Sequence, residues 1–148
     1  MPRFRHSASF GKRQEFGAVA ELLRRGYDVY MTLVDDQGID CIVRQGPELF
    51  FDVQIKARSK ESRAGQVGHF PLLDCSNARK NYIFIFFSEA IGERGRYWVI
   101  PSLTIVQPGF ANFLKSGKNK GKYRLILNRP KYKDYVEAFE AAFGEPPH

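Results

Sequence analysis

The chain has 148 residues, 43% of them hydrophobic, and carries 23 Lys+Arg against 16 Asp+Glu for a formal net charge of +7. That length suits one domain over 1–148 with a core that needs no disulfide or metal staple, and no stretch nears the roughly 20 apolar residues of a membrane helix. Two cysteines, Cys41 and Cys75, make no disulfide framework, and His6, His69 and His148 are too scattered for a zinc motif. The basic excess is compatible with a polyanionic partner, and the N-terminus leads into no apolar signal-type segment, so a cytoplasmic location is expected.

In chain order, residues 11–25 predict an amphipathic helix. Phe16, Val19, Ala20 and Leu23 recur at helical spacing, Ser9 is placed to cap the start and Gly26 to end it. Strand-like runs follow at Tyr27–Leu33, Ile39–Arg44 and Leu49–Ala57, separated by the turn sequences Asp35-Asp36-Gln37-Gly38 and Gln45-Gly46-Pro47. Residues 58–68 read as a charged loop or short crossover. Tyr82–Phe87 is almost continuously apolar, as expected of a strand covered on both faces, and Tyr97–Ile100 is a shorter run ending at Pro101. A short helix or two is expected between Ser102 and Leu114, a Gly/Lys loop over 116–122 and a last strand over Tyr123–Leu127. Pro130 then opens a C-terminal helix on Tyr132, Tyr135, Val136, Phe139 and Phe143, ending at Gly144.

The chemistry concentrates in the second and third strand runs. Alternation in Phe51-Asp52-Val53-Gln54-Ile55-Lys56 puts Asp52, Gln54 and Lys56 on one face and Phe51, Val53 and Ile55 on the core face. A hairpin between the two runs brings Asp40, a lone carboxylate among apolar residues, close to the Gln54/Lys56 face. Periodicity by itself equally allows Asp40 to be a turn residue and Lys56 a solvated edge residue. The first helix shifts the balance, because Glu15 falls within its apolar arc. A carboxylate there is costly unless it is paired or binds a cation.

The set Gly11-x-x-x-Glu15, Gly26-Tyr27, Gly38-Ile39-Asp40 and Gln54-Ile55-Lys56 resembles the PD-(D/E)XK nuclease superfamily, particularly small members related to archaeal Holliday-junction resolvases and to restriction-type endonucleases. The match covers roughly residues 11–58, with no proline before Asp40 and Gln54 at the usual Glu position. The resemblance implies an α/β fold with a restriction-endonuclease-like αβββαβ core, a central mixed sheet flanked by helices and a C-terminal helix. It also implies a Mg²⁺-dependent endonuclease acting on DNA, with Mn²⁺ able to substitute. Asp40, Gln54, the carbonyl of Ile55 and Glu15 would then hold the ion, and Lys56 would position the attacking water or offset transition-state charge. Asp52 is expected to reach a coordinated water rather than the ion. A homodimer is compatible with the analogy, since small nuclease domains often pair to cut both strands.

Arg58, Lys60 and Arg63 follow the motif strand and are expected to contact flanking phosphates. Lys118 and Lys120 lie in Gly117-Lys118-Asn119-Lys120-Gly121-Lys122, which lacks the spacer and hydroxyl residue of a nucleotide-binding loop and reads as a basic hairpin tip, able to meet a nucleic-acid backbone or simply solvated. His69 has no base partner in sequence, and the aromatics of 82–87 read as core rather than a base-stacking platform. The rival to catalysis is a nucleic-acid-binding module on the same fold, with Gln54 marking loss of activity.

Overall fold

The computed structural model describes residues 3–34, 37–60 and 67–148, with side chains from Ser9 onward. Asp35, Asp36 and Arg63 therefore lie outside the described residues. The chain runs α1 (Arg3–Arg24), β1 (Asp28–Met31), β2 (Cys41–Arg44), β3 (Phe50–Arg58), β4 (His69–Leu73), β5 (Tyr82–Ser88), β6 (Arg96–Pro101), α2 (Ser102–Ile105), β7 (Asn112–Phe113) and β8 (Tyr123–Ile126). A 3₁₀ helix (Pro130–Tyr135) and α3 (Phe139–Phe143) close it.

β1, β2, β3, β5 and β6 form one mixed sheet in that order, in which only β3 and β5 are parallel. Every residue of β5 is buried, as its unbroken apolar sequence demands of a strand covered on both faces. On one face, Val53, Ile55, Ile83 and Ile85 pack against Ala18, Val19 and Leu22 of α1 and Phe139 and Phe143 of α3. On the other, Tyr82, Phe84 and Phe86 meet Phe70, Leu73 and Leu125 of a smaller sheet ordered β4-β8-β7, with Ile105 and Tyr132 filling the edge. Phe84 and Phe86 stack at 5.7 Å between ring centroids. Burying each stabilises the fold by about 1.5–3 kcal/mol.

Four sequence expectations change at this level, the first being that α1 begins at Arg3, so Ser9 lies within the helix rather than capping it. The buried stripe of α1 runs through Ala18, Val19 and Leu22, while Phe16 and Leu23 are 58% and 55% exposed. The small side chain of Ala18 faces the sheet, so the apolar arc is rotated away from its bulkiest members. The C-terminal helix is interrupted: Val136 forms an antiparallel bridge to Trp98 and the Glu137 amide donates to the Tyr97 carbonyl at 2.9 Å. Pairing with the edge of β6 outcompetes the helical spacing there, and α3 resumes only at Phe139. Strands β4 and β7 are not legible as such in the sequence, β4 because Pro71 and a bulge between Phe70 and Leu73 break its alternation.

Candidate active site

Strand β2 pairs antiparallel with β3, with Cys41 opposite Val53, and both of these residues face α1. One residue earlier, Asp40 therefore turns to the opposite face, which it shares with Gln54 and Lys56. The Asp40 amide donates to the Val53 carbonyl at 2.8 Å, continuing the ladder past the end of β2. The side chain then replaces the next rung: its Oδ2 accepts from the Ile55 amide at 2.7 Å. Asp40 is only 6% exposed, and this short bond to a backbone N–H supports a carboxylate at that depth. Because the N–H and C=O of one strand residue leave by the same edge, the Ile55 carbonyl projects toward the Asp40 loop as well.

The loop before Asp40 is held by Thr32, whose hydroxyl donates to the Ile39 carbonyl at 2.8 Å. Gly38 sits at φ +71°, and a Cβ there would stand 3.1 Å from the Tyr82 hydroxyl and 3.4 Å from Gln54 Nε2. Glycine is required both for the left-handed backbone and for the close approach. The Tyr82 hydroxyl lies 3.0 Å from the Gly38 carbonyl and 3.0 Å from Gln54 Oε1, one proton between two acceptors, and it orients the amide. Burial pushes this phenol up to about 12, so it remains a donor at neutral pH.

Gln54, Gly38 and Tyr82 line a cavity of about 220 Å³ together with Gln37, Asp74 and Asn77. Asp74 is a member that the sequence does not single out. Its Oδ1 accepts from the Ser76 amide at 3.0 Å. The Ser76 hydrogen bonds hold its carboxyl below the ordinary value, with the positive charges of Lys122 and Lys56 contributing in the same direction. Lys56 thus acts on the carboxylate of this cavity from its place two residues after Gln54 on the same strand face. Asp52, by contrast, is engaged elsewhere: its Oδ2 lies 2.6 Å from Arg79, whose guanidinium stacks on the Tyr82 ring.

Glu15 lies on the inward stripe of α1, one turn before Ala18 and Val19, half-buried and paired with Lys12 at 3.0 Å. Burial raises the Cys41 thiol to about 12, with the charges of Asp40 and then Glu15 adding to it; α1, which carries Glu15, packs on the sheet face opposite the one that Asp40 shares with Gln54 and Lys56. Of the expected phosphate contacts, Arg58 donates through Nε to the His69 carbonyl at 2.5 Å and ties β3 to β4. Lys60 is exposed, with its amide on Glu89 at 3.2 Å. Lys118 and Lys120 lie in the turn joining β7 to β8, whose base is closed by Leu114 to Lys122 at 2.9 Å.

Among the described residues no three His, Cys, Asp or Glu side chains converge to hold a metal by themselves. The oxygen set does suit a hard cation. Gln54 and Asp74 line the cavity, while Asp40, bonded to the Ile55 amide, and Lys56 are not among its lining residues; the groups are oxygen donors apart from Lys56, and Mg²⁺ typically takes one or two carboxylates and keeps several waters.

The signals that sequence reasoning misses are present but local. Asp74-Cys75-Ser76 is an Asp-x-Ser turn just before the central strand, the type in which a carboxylate caps its own backbone. Tyr82 reads as core from its neighbours, and its ring is core, while its hydroxyl belongs to the cavity.

No protein-family model and no curated protein matches the sequence. Among solved structures the fold is similar to that of a bacterial homing endonuclease, I-Ssp6803I, at a TM-score of 0.57 and 14% identity, over 90% of this chain and 87% of that one. The chain therefore shares the overall fold of that structure. No helix among the described residues is long and apolar enough to cross a membrane.

Proposed function

We propose that the chain is a divalent-metal-dependent endonuclease of the PD-(D/E)XK type that hydrolyses DNA phosphodiester bonds. The observation that carries this reading is the buried Asp40 carboxylate bonded to the Ile55 amide, on the strand face that also bears Gln54 and Lys56. Asp40 just before β2 and Gln54 and Lys56 within β3, together with the likeness in fold to a homing endonuclease, support the reading.

In this reading Asp40, Gln54 and the Ile55 carbonyl hold the ion, and Glu15 acts from the helix side. A bound Mg²⁺ or Mn²⁺ supplies Lewis acidity toward the phosphate and lowers the pKa of a coordinated water. Lys56 places a fixed positive charge where the phosphorane accumulates negative charge. Tyr82 keeps the Gln54 amide oxygen aimed into the cavity, and Asp74 supplies the carboxylate charge that Gln54 lacks relative to glutamate. Arg79 withdraws Asp52 from that task. Arg58, Lys60, Arg63, Lys118 and Lys120 remain the proposed backbone contacts, with Arg58 doubling as a tie between strands. A homodimer is part of the proposal only by analogy with enzymes that cut both strands.

Plasmid, branched and single-stranded DNA incubated with the purified protein test this directly. Cleavage in Mg²⁺ or Mn²⁺ that stops in EDTA is expected, and survival of all three substrates in both metals would remove the enzyme reading. A second reading, DNA binding without cleavage, is favoured by the lack of a three-carboxylate cluster among the described residues. It requires association in EDTA with steep salt dependence and no Asp40-dependent ion site.

A further inference from the structure

Beyond the catalytic cavity, the fold holds a second concavity of about 350 Å³ between the outer edge of the small sheet and the 3₁₀ helix. Its wall carries three cations, Arg124 from β8, Arg129 from the turn after it and Lys131 from the 3₁₀ helix, and no carboxylate. Among the described residues none of the three has a salt-bridge partner, whereas Arg24, Arg25 and Arg79 are all paired. Three unpaired charges gathered in one hollow repel one another and raise the energy of the free protein. An anion seated there relieves that repulsion.

The hollow is also built in advance. The Lys131 ammonium donates to the Gly109 carbonyl at 2.9 Å, and the Tyr132 hydroxyl donates to the Phe110 carbonyl, so the 109–111 loop is fastened to the 3₁₀ helix at two points. The rings of Phe110 and Tyr132 pack edge to face at 5.1 Å behind those bonds. A site held open by its own framework loses little entropy when occupied.

Its position relates it to the catalytic cavity. Leu73, the neighbour of Asp74, pairs with Tyr123 at one end of β8, and His69 pairs with Ile126 in the cavity wall at the other. Arg124 of the hollow follows Tyr123 directly, so the small sheet joins the two sites.

We infer that this hollow is a phosphate-binding subsite for the nucleic-acid backbone, gripping a phosphate apart from the bond presented to Asp40 and Lys56. It rests on the proposed nuclease function for its ligand, and on the unpaired Arg124, Arg129 and Lys131 for its location. Guanidinium groups suit this task because their planar fork meets two phosphate oxygens at once.

The test is fluorescence anisotropy of a labelled duplex titrated with salt in EDTA, where no hydrolysis occurs. Removing one cation that neutralises a phosphate lowers the slope of log K against log salt by about 0.9, so Arg124→Gln with Arg129→Gln is expected to reduce it by about 1.8. Arg124→Lys with Arg129→Lys should keep the slope. The control pair Arg94→Gln with Arg96→Gln, two exposed cations away from the hollow, should leave it unchanged. Melting temperatures verify that every variant is folded.

An unchanged slope in the Arg124/Arg129 double variant, or an equal drop in the control pair, overturns the subsite while leaving any observed cleavage, and so the nuclease reading, standing. Failure of the wild-type protein to bind DNA in EDTA overturns the subsite, while cleavage in Mg²⁺ or Mn²⁺ decides the nuclease reading separately. Titration with inorganic phosphate distinguishes the source: phosphate binding that the double variant loses while its DNA slope is unchanged would make this a small-anion site and overturn the backbone assignment.

Discussion

Replacing Asp40 in two ways separates what it holds together from what it does chemically. Asp40→Ala removes the acceptor 2.7 Å from the Ile55 amide, in a spot where the side chain it replaces is only 6% exposed. The orphaned N–H is shielded from water, so the loss is the cost of an unsatisfied buried donor, about 2 kcal/mol within a usual range of about 1–3. At about 2–4 °C per kcal/mol for a chain of this size, the melting temperature falls by about 4–8 °C. Asp40→Asn keeps an oxygen able to accept that bond and sheds the charge, so it should melt within about 1 kcal/mol of the parent. Thermal unfolding followed by circular dichroism reads both. If the alanine variant melts with the parent, or the asparagine variant falls as far as the alanine one, the Asp40–Ile55 bond is not what anchors the site.

Tyr82→Phe deletes the hydroxyl shared by Gly38 and Gln54. It should weaken Mn²⁺ binding, followed by electron paramagnetic resonance, by about 10–100-fold as expected for a group that orients a ligand, and unchanged affinity would exclude Tyr82 from that role. The thiols of Cys41 and Cys75, pushed up to about 12 and about 11 by burial, should resist a disulfide reagent at pH 8 until the protein unfolds, because the thiolate is the reacting species. Rapid labelling of the native protein would contradict the packing around them. Asp74 has a folded pKa depressed by Ser76. Its contribution to stability is therefore complete above the unfolded value of about 3.9 and is lost as pH falls through the lower folded value. The difference in stability between the parent and Asp74→Ala should be constant from neutrality to about pH 4 and shrink in stronger acid. A difference that grows on acidification would reverse the assignment.

Much of the site is legible in the sequence because it depends on two short-range regularities. Alternation along β3 fixes which side chains share the face of Gln54, and the Gly38 turn fixes where Asp40 leaves the hairpin. Helical spacing puts Glu15 on the inward face of α1 through an arc that the structure rotates: Phe16 and Leu23 are outside, yet Glu15 remains in line with Ala18, Val19 and Leu22. Parts that depend on long-range pairing are hidden. Asp74 joins the cavity only because β4 of the small sheet and β5 of the main sheet hold the two ends of the 74–82 segment, and the small sheet exists through β8 pairing with a strand some way back along the chain. The break in the C-terminal helix has the same origin, since nothing in Tyr135-Val136-Glu137 announces that Trp98 offers an edge to pair with.

In the proposed reaction Asp40 and Lys56 carry hydrolysis. Single-turnover cleavage of one DNA substrate in saturating Mg²⁺ by the parent, Asp40→Asn and Lys56→Ala, each shown to be folded by its melting temperature, tests this assignment most directly. Losing either group should slow cleavage by at least about 10²-fold, the scale for removing one charge-stabilising group from an active site. Folded variants that cut as fast as the parent would contradict it.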